Sequence, residues 1–192
     1  MISRRNVLRF AAAGVAGTLT PISAWSAASH RIASARGLCR AVFDERYDEC
    51  LVFARELEHR GAVTSGIRND VAALWYQDLR PRLRQTKLPL AGLTDRAALF
   101  CLEELARDVG MKVLYRIDRT VEPGGQVRHE LSGPAVVVEA ARNLGTETSF
   151  GRAMALLASD MEARGPWNIA SLKRTGPSSP HNATVLVSWV IA

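Results

Sequence analysis

The feature that most constrains the fold of this chain is a regular alternation of strand-like and helix-like segments between residues 40 and 117. Runs rich in apolar and β-branched residues are typical of strands, and the segments between them repeat apolar residues every three or four positions, as a helix face requires. The strand-like segments are residues 40–43, 62–67, 88–93 and 111–117. This series, with its short connections, predicts parallel strands joined by right-handed helical crossovers.

The three intervening helices carry start and stop signals. The first is expected to be capped by Asp44 and to end at Gly61, because glycine adopts the left-handed conformation that often follows a helix. The second is expected to be capped by Asn69 and interrupted at Pro81, which lacks a backbone N–H. The third is expected to end at Gly110. These signals delimit the crossovers between the four strands.

The rest of the chain predicts a hairpin, further helix and a last strand. Residues 111–131 contain a Pro-Gly pair and are expected to form the hairpin. Residues 132–134, Ser-Gly-Pro, look like a helix start, whereas residues 135–138 suit a helix and a strand equally well. A helix is predicted over residues 149–163. Residues 184–191 are apolar at odd and at even positions alike, which is typical of a central strand that is buried on both faces.

The first residues of the chain have a different character. Residues 3–9 read Ser-Arg-Arg-Asn-Val-Leu-Arg, and a weakly apolar stretch rich in alanine and glycine follows to about residue 24. This pattern resembles the twin-arginine (Tat) signal of bacteria, with Arg4 and Arg5 as the arginine pair. The stretch is too short and too interrupted to predict a membrane span, which needs about 20 strongly apolar residues. An ordinary Sec signal and an uncleaved anchor are the alternatives.

The resemblance implies an address rather than a part of the fold. It implies removal of residues 1–28, recognition by the Tat translocation machinery and a periplasmic location for a protein exported in the folded state. Tat cargo often acquires a cofactor or a partner subunit before export, but export alone identifies neither, so the cofactor is left unknown. No stable membrane span is expected in the mature protein.

Residues 29–192 are expected to form a single domain, and their combined pattern predicts an α/β fold. The expected architecture is a three-layer, mostly parallel sheet flanked by helices, with an antiparallel hairpin and a C-terminal strand. The formal net charge of +6 falls to +3 without residues 1–28, which carry three arginines and no acid. Because a nucleic-acid-binding domain normally concentrates basic residues on one face, no nucleic-acid partner is predicted.

The cysteines and one aromatic pair are more typical of packing than of chemistry. The three cysteines are an odd count without a C-x-x-C pair, so they indicate no disulfide framework. Cys50 and Cys101 lie in apolar runs and are expected to be small buried hydrophobes. A Cys39–Cys50 bridge stays open. Trp75 and Tyr76 are expected to pack in the core.

Familiar catalytic and nucleotide-binding motifs are missing from the sequence. It contains no G-x-S-x-G, no G-x-G-x-x-G, no P-loop and no H-E-x-x-H. His30 and His59 have no metal-ligand spacing with other histidines, cysteines or acids, so no metal site is predicted. A classical NAD enzyme and a cofactor-carrying redox subunit are therefore disfavoured.

One arrangement recurs at the predicted turns from strand to helix, each of which carries an acid and an arginine. In an open α/β sheet these turns lie at the carboxyl edge, where ligands bind and helix N-termini favour anions. Arginine binds carboxylate, phosphate and sulfate with two parallel hydrogen bonds. The sequence therefore predicts a binding site for a small anionic ligand, with Arg46, Arg68, Arg96 and Arg116 as its ligand-binding residues. The competing interpretation is that neighbouring acids and arginines only neutralise each other.

Two functional classes follow from this predicted site. The first is a periplasmic binding or accessory protein for a small anionic ligand or a co-exported partner subunit. The alternative is a small periplasmic hydrolase or isomerase in which Asp44, Asp70 or Asp95 is the base. His129 would be its proton shuttle, although a lone histidine is more typical of a structural residue. Whether the protein is an enzyme is left open.

Overall fold

The computed structural model describes residues 40–68, 70–121, 126–143, 149–159, 167–175 and 185–192. The predicted signal residues 1–28, Cys39, the expected cap Asn69 and the Pro-Gly pair of the hairpin lie outside the described residues. Every helix in the described ranges is too short or too polar to cross a lipid bilayer.

The centre of the described structure is one sheet of seven strands, in the order β2-β1-β3-β7-β4-β5-β6. The strands are β1 (Arg40–Asp44), β2 (Thr64–Ile67), β3 (Leu90–Asp95), β4 (Val113–Val121), β5 (Gln126–Pro134), β6 (Trp167–Thr175) and β7 (Leu186–Ile191). β1 pairs in parallel with β2 and β3, and the other neighbours pair antiparallel. Five strands therefore point one way, and β5 and β7 point the other.

Helices cover both faces of this sheet. They are α1 (Asp48–His59), α2 (Val71–Leu74), a π-helical segment (Trp75–Leu79), α3 (Arg80–Gln85), α4 (Arg96–Arg107), α5 (Ala135–Asn143) and α6 (Phe150–Ser159). We call face A the side on which α1, α5 and α6 bury residues such as Phe53, Val138 and Leu157. Face B is the side on which α2, the π-helical segment, α3 and α4 bury residues such as Trp75 and Leu102. The predicted α/β fold with its three layers is confirmed.

β7 is a central strand, as its sequence predicts. All six of its residues are buried, with Leu186 and Val190 in the core of face A and Trp189 in the core of face B. The indole of Trp189 lies over Gly92 of β3, where a Cβ atom would overlap the ring. Its Nε1 donates a buried hydrogen bond to Thr94 Oγ1 at 3.0 Å. β7 thus joins the parallel pairs to the antiparallel part of the sheet.

Face A is closed by a direct contact between the backbones of α1 and α6. Gly151 lies so close to the carbonyl oxygen of Glu49 that a Cβ atom would overlap it. The Glu49 carboxylate accepts hydrogen bonds from the Gly151 backbone N–H at 2.6 Å and from the Ser149 hydroxyl at 2.8 Å. A side chain of α1 therefore satisfies a free N–H at the start of α6.

Two expectations about helix starts are wrong. Asp44 does not cap α1, because Tyr47 occupies the N-cap position and the Asp44 carboxylate binds Arg46 instead. Residues 132–134 do not begin a helix, because they continue β5 and pair with β6. Residues 135–138, which were ambiguous in the sequence, are helical. The N-cap of α2 is Asp70, whose Oδ1 accepts from Ala73 N at 3.0 Å.

Pro81 does not interrupt the second helical region. The helix widens into the π-helical segment, in which Arg80 N donates to Trp75 O, and then continues as α3 with Pro81 in its first turn. Proline lacks a backbone N–H and its ring clashes with the preceding turn of an α-helix, and here the preceding turn is the widened π-helical one. Local widening into a π-helix is one of the recognised causes of a bend in a helix.

Candidate functional site

The candidate site lies at the carboxyl edge of the parallel strands. Asp44 is the last residue of β1 and Asp95 is the last residue of β3, and these strands are direct neighbours. Asp95 also caps α4, since its Oδ1 accepts from Ala98 N at 2.8 Å. The predicted convergence of strand ends therefore brings these two carboxylates together.

Arg46 bridges the two carboxylates, and we call Asp44, Arg46 and Asp95 the inner cluster. Its Nε and Nη2 both donate to Asp44, with 2.8 Å from Nε to Oδ1, and Nη2 also lies 2.7 Å from Asp95 Oδ2. The Asp44 side chain is 1% exposed, whereas Asp95 is 27% and Arg46 35% exposed. The hydrogen bonds that Arg46 donates, first to Asp44 and then to Asp95, raise its pKa, so its charge is fixed.

A cleft of about 510 Å³ opens beside the inner cluster, between α2 and α4 on face B. Its walls are largely apolar and include Val71, Ala98 and Leu105. The rings of Tyr76 and Phe100 also line it and are 57% and 64% exposed. The volume lies within the range of 300 to 1,000 Å³ that is usual for small-molecule sites, which are mostly apolar with a few placed polar groups.

The other charged groups of the cleft are mainly acidic. Asp70 and Glu104 belong to its lining together with the inner cluster. Glu104 is paired with Arg107 at 2.9 Å, whereas Asp70 has no ion pair among the described residues. Arg80, which is not a lining residue, lies over the ring of Tyr76 at 5.7 Å. Within the described part of the chain, one carboxylate of the cleft is therefore without a paired cation.

A second group of charges, which we call the outer cluster, consists of Arg96, Arg116 and Asp118. Arg96 Nε lies 2.9 Å from Asp118 Oδ1, and Arg116 donates to both Asp118 oxygens at 2.6 and 2.8 Å. Asp118 is buried, and its hydrogen bonds raise the pKa of Arg116. Two guanidinium groups thus share one carboxylate, and one of them belongs to Arg96, the first residue of α4.

The remaining predicted site residues lie elsewhere. Arg68 pairs with Glu45 at 2.7 Å, and its side chain is 78% exposed. His129 stacks against Phe150, which packs on the core of face A, with 5.2 Å between the ring centroids. The cleft is on face B, so His129 does not belong to it. The predicted residues therefore form two clusters, with Asp70 in the lining of the cleft and Arg68 and His129 at separate positions, rather than one site.

The thiols of Cys50 and Cys101 differ in their exposure to solvent. Cys50 is fully buried, as expected, and burial raises the pKa of its thiol to about 12. Cys101 is wrongly expected to be buried, since it is exposed and lines the cleft. Phe100 and Tyr76 are exposed there as well, so the core expectation holds for Trp75 but not for Tyr76.

The sequence held a usable signal for part of this surface. In α4 the buried residues are Ala98, Leu99, Leu102 and Ala106, which form one face of the helix. Residues 100 and 101 fall outside that face, so a strict helical count predicts their exposure in spite of their apolar character. Asp118 carries no comparable signal, because it binds Arg96, which lies 22 positions earlier in the chain.

The described residues contain no group of three or more histidine, cysteine, aspartate or glutamate side chains that could hold a metal ion. Comparisons of the chain with protein-family models, with curated proteins and with solved structures find no match. The cleft and the two charge clusters are therefore the features of the described residues from which a function is inferred.

Proposed function

We propose that this chain is an exported binding or accessory protein that holds a small ligand, or a group of a co-exported partner, in the cleft between α2 and α4. The observation that carries this proposal is the cleft itself, which combines apolar walls, exposed aromatic rings and charged groups at the carboxyl edge of the sheet. Clefts of this composition at this edge are a common location for ligand binding in α/β folds.

Binding is better supported than catalysis because the candidate bases are already engaged. Asp44 is buried and holds Arg46, and Asp95 both caps α4 and binds Arg46. A general base must be within reach of a substrate proton and must have an oxygen available to accept it. Asp70 is exposed but serves as the cap of α2. The hydrolase or isomerase alternative has no comparable support.

The binding site is tested with 4-phenylbutan-1-ol, a neutral probe with an aromatic ring and an apolar chain, by two-dimensional amide NMR. The probe is expected to shift the amide signals of α2 and α4. Ala72→Trp, which adds a large ring at an exposed position of the lining, is expected to abolish the shifts. Gln77→Trp adds the same ring at an exposed residue outside the lining and is the matched control. No shift in the wild type, or equal shifts in Ala72→Trp, would contradict the proposal.

Export through the Tat route is proposed from the resemblance of residues 3–9 to the twin-arginine signal. Arg4→Lys together with Arg5→Lys is expected to keep the precursor in the cytoplasm of a bacterial host, whereas Arg9→Lys is expected to leave export intact. Fractionation and the mass of the mature N-terminus measure the result. Export of the double variant at the wild-type rate would instead indicate a Sec signal.

The anionic ligand predicted from the sequence is proposed to bind at the outer cluster. An anion at Arg46 would have to displace a carboxylate, whereas Arg96 and Arg116 share the single partner Asp118 and are 53% and 35% exposed. Inorganic phosphate is expected to raise the melting temperature, and Arg96→Gln to reduce that rise. Arg68→Gln, at an arginine outside both clusters, is the control.

A further inference from the structure

If the cleft binds a ligand as proposed, the charges of its lining indicate the charge of that ligand. We infer that the ligand of the cleft carries a basic group, an ammonium or a guanidinium, on an apolar body. This is the opposite sign to the anionic ligand that the four arginines predict from the sequence. The inference depends on the apolar walls, the sum of the charges and the contacts that the inner cluster already makes.

The apolar body of the ligand is inferred from the side chains that line the walls and the opening of the cleft. Val71, Ala98 and Leu105 offer no hydrogen-bonding side chain, so a ligand that fills the space between them gains from the burial of its own apolar surface. Tyr76 and Phe100 place two exposed rings at the same opening. Aromatic faces attract cations as well as other rings, and Arg80 already lies over Tyr76 in this manner.

The sign of the charge follows from the ion pairs of the lining. The inner cluster contains two carboxylates and one guanidinium, which leaves one negative charge uncompensated. Asp70 adds another, because among the described residues it only caps α2. Glu104 is compensated by Arg107, and Arg80 near Tyr76 offsets part of the remaining charge. The lining therefore carries a net negative charge, and the outer cluster, with one positive charge in excess, is not part of it. A potential of one sign in a cleft of low dielectric favours a ligand of the opposite sign.

The inner cluster shows how the cleft would hold such a group. It already places a guanidinium between two carboxylates, and Arg46 is that group. Asp44 is closed to solvent, but Asp95 is 27% exposed and faces the cleft. Asp95 and Asp70 both line the cleft, so their carboxylates attract a ligand cation there while Arg46 stays bound to Asp44. An anion would meet the same two carboxylates and be repelled.

Three probes with the same phenylbutyl body test the inference: 4-phenylbutylamine, 4-phenylbutan-1-ol and 4-phenylbutyrate. The expected order of affinity, measured by amide NMR titration of the full chain at low salt, is amine, alcohol, carboxylate. The amine is expected to bind roughly five- to tenfold more tightly than the alcohol, as a partly exposed ion pair allows. Sodium chloride is expected to reduce this advantage, because salt screens exposed charges.

Two variants test whether the tighter binding of the amine comes from the carboxylates of the cleft. Asp70→Asn and Asp95→Asn remove one charge each and keep a helix-capping side chain, because asparagine caps about as well as aspartate. Each is expected to reduce the advantage of the amine over the alcohol about threefold. Asp108→Asn, at the exposed far end of α4, is the control that is expected to change neither.

The outcomes separate this inference from the proposed function. If the alcohol binds in the cleft and the amine has no advantage over it, the inference is wrong and the proposed function stands. The inference is also wrong if the carboxylate binds as tightly as the amine, or if Asp70→Asn combined with Asp95→Asn keeps the advantage. If none of the three probes binds in the wild type, or if Ala72→Trp binds the alcohol as well as the wild type does, the proposed function fails as well.

Discussion

The helices on the two faces of the sheet differ in how closely they pack against each other. On face A, α1 and α6 meet at Gly151, where the backbones touch and leave no space. On face B, α2 and α4 flank a cleft of about 510 Å³. Both pairs bury an apolar stripe against the same sheet, so the hydrophobic pattern of a helix does not decide which pair closes.

The difference lies in the residues that face the neighbouring helix. A glycine in α6 permits backbone contact, and Glu49 of α1 binds the N-terminus of α6 across the interface. On face B each helix is capped by a residue next to its own start, Asp70 or Asp95, and large rings project at the opening. A helix pair that shares its polar groups closes, whereas one whose ends are satisfied locally can leave room for a ligand.

The largest effect expected from this contrast is in thiol reactivity, since Cys50 lies on α1 at face A and Cys101 on α4 in the cleft. At pH 8 iodoacetamide is expected to alkylate Cys101 about a thousandfold faster than Cys50. Cys50 must be exposed by opening of the structure, which costs several kcal/mol, about 4 for this ratio. In the closed structure burial raises the pKa of Cys50 to about 12, so almost no thiolate is present there at pH 8 and the reaction passes through the opened state. Peptide mapping by mass spectrometry gives each rate.

The control is the same reaction in denaturant, where the two thiols are expected to react at similar rates. Comparable rates in the native protein would show that face A is not closed at α1, and the comparison between the two faces would lose its basis.

A smaller effect is expected from Gly151→Ala, which places a methyl group against the Glu49 carbonyl. The free energy of unfolding is expected to fall by about 3 kcal/mol, because a backbone atom cannot move aside as a side chain can. The gain in helix propensity from alanine offsets at most about 1 kcal/mol of this loss. Urea denaturation measures the change. Arg152→Ala, at the next and exposed position of α6, is expected to change it by less than about 0.5 kcal/mol.

The smallest effect is expected from Glu49→Gln, which keeps the size of the side chain but removes its charge. The free energy of unfolding is expected to fall by about 1 kcal/mol, since a charged acceptor at a helix N-terminus makes stronger hydrogen bonds than a neutral one. Asp48→Asn, an exposed residue beside it, is the matched control and is expected to have little effect. Equal losses in both variants would show that the contribution comes from the N-terminus of α1 and not from the contact with α6.

The fold could be predicted largely because its signals are local. The alternating segments, the left-handed glycines Gly61 and Gly110 and the apolar final strand all depend on neighbouring residues. The position of β7 between β3 and β4 could not be read in the same way, because pairing partners are set by long-range packing. The segment that forms β6 was not predicted as a strand. Its place at the edge of the sheet depends on pairing with β5.

The candidate site could be predicted only in part for a related reason. Parallel pairing of β1 with β3 makes their ends neighbours, so Asp44, Arg46 and Asp95 follow from the strand pattern. The face to which a residue points also decides its role, and this separates His129 from the cleft. Asp118 lies far along the chain from Arg96, so nothing near either residue in the sequence indicates that they form an ion pair.

The placement of β7 has a consequence for the order in which this protein can be made. Its neighbours on either side, β3 and β4, are synthesised well before residues 186–191 leave the ribosome. Until then β3 and β4 lack the strand that lies between them, and their facing edges are unpaired. The sheet can therefore be completed only after its other six strands have been synthesised, and a partly made chain exposes strand edges that favour association with other chains.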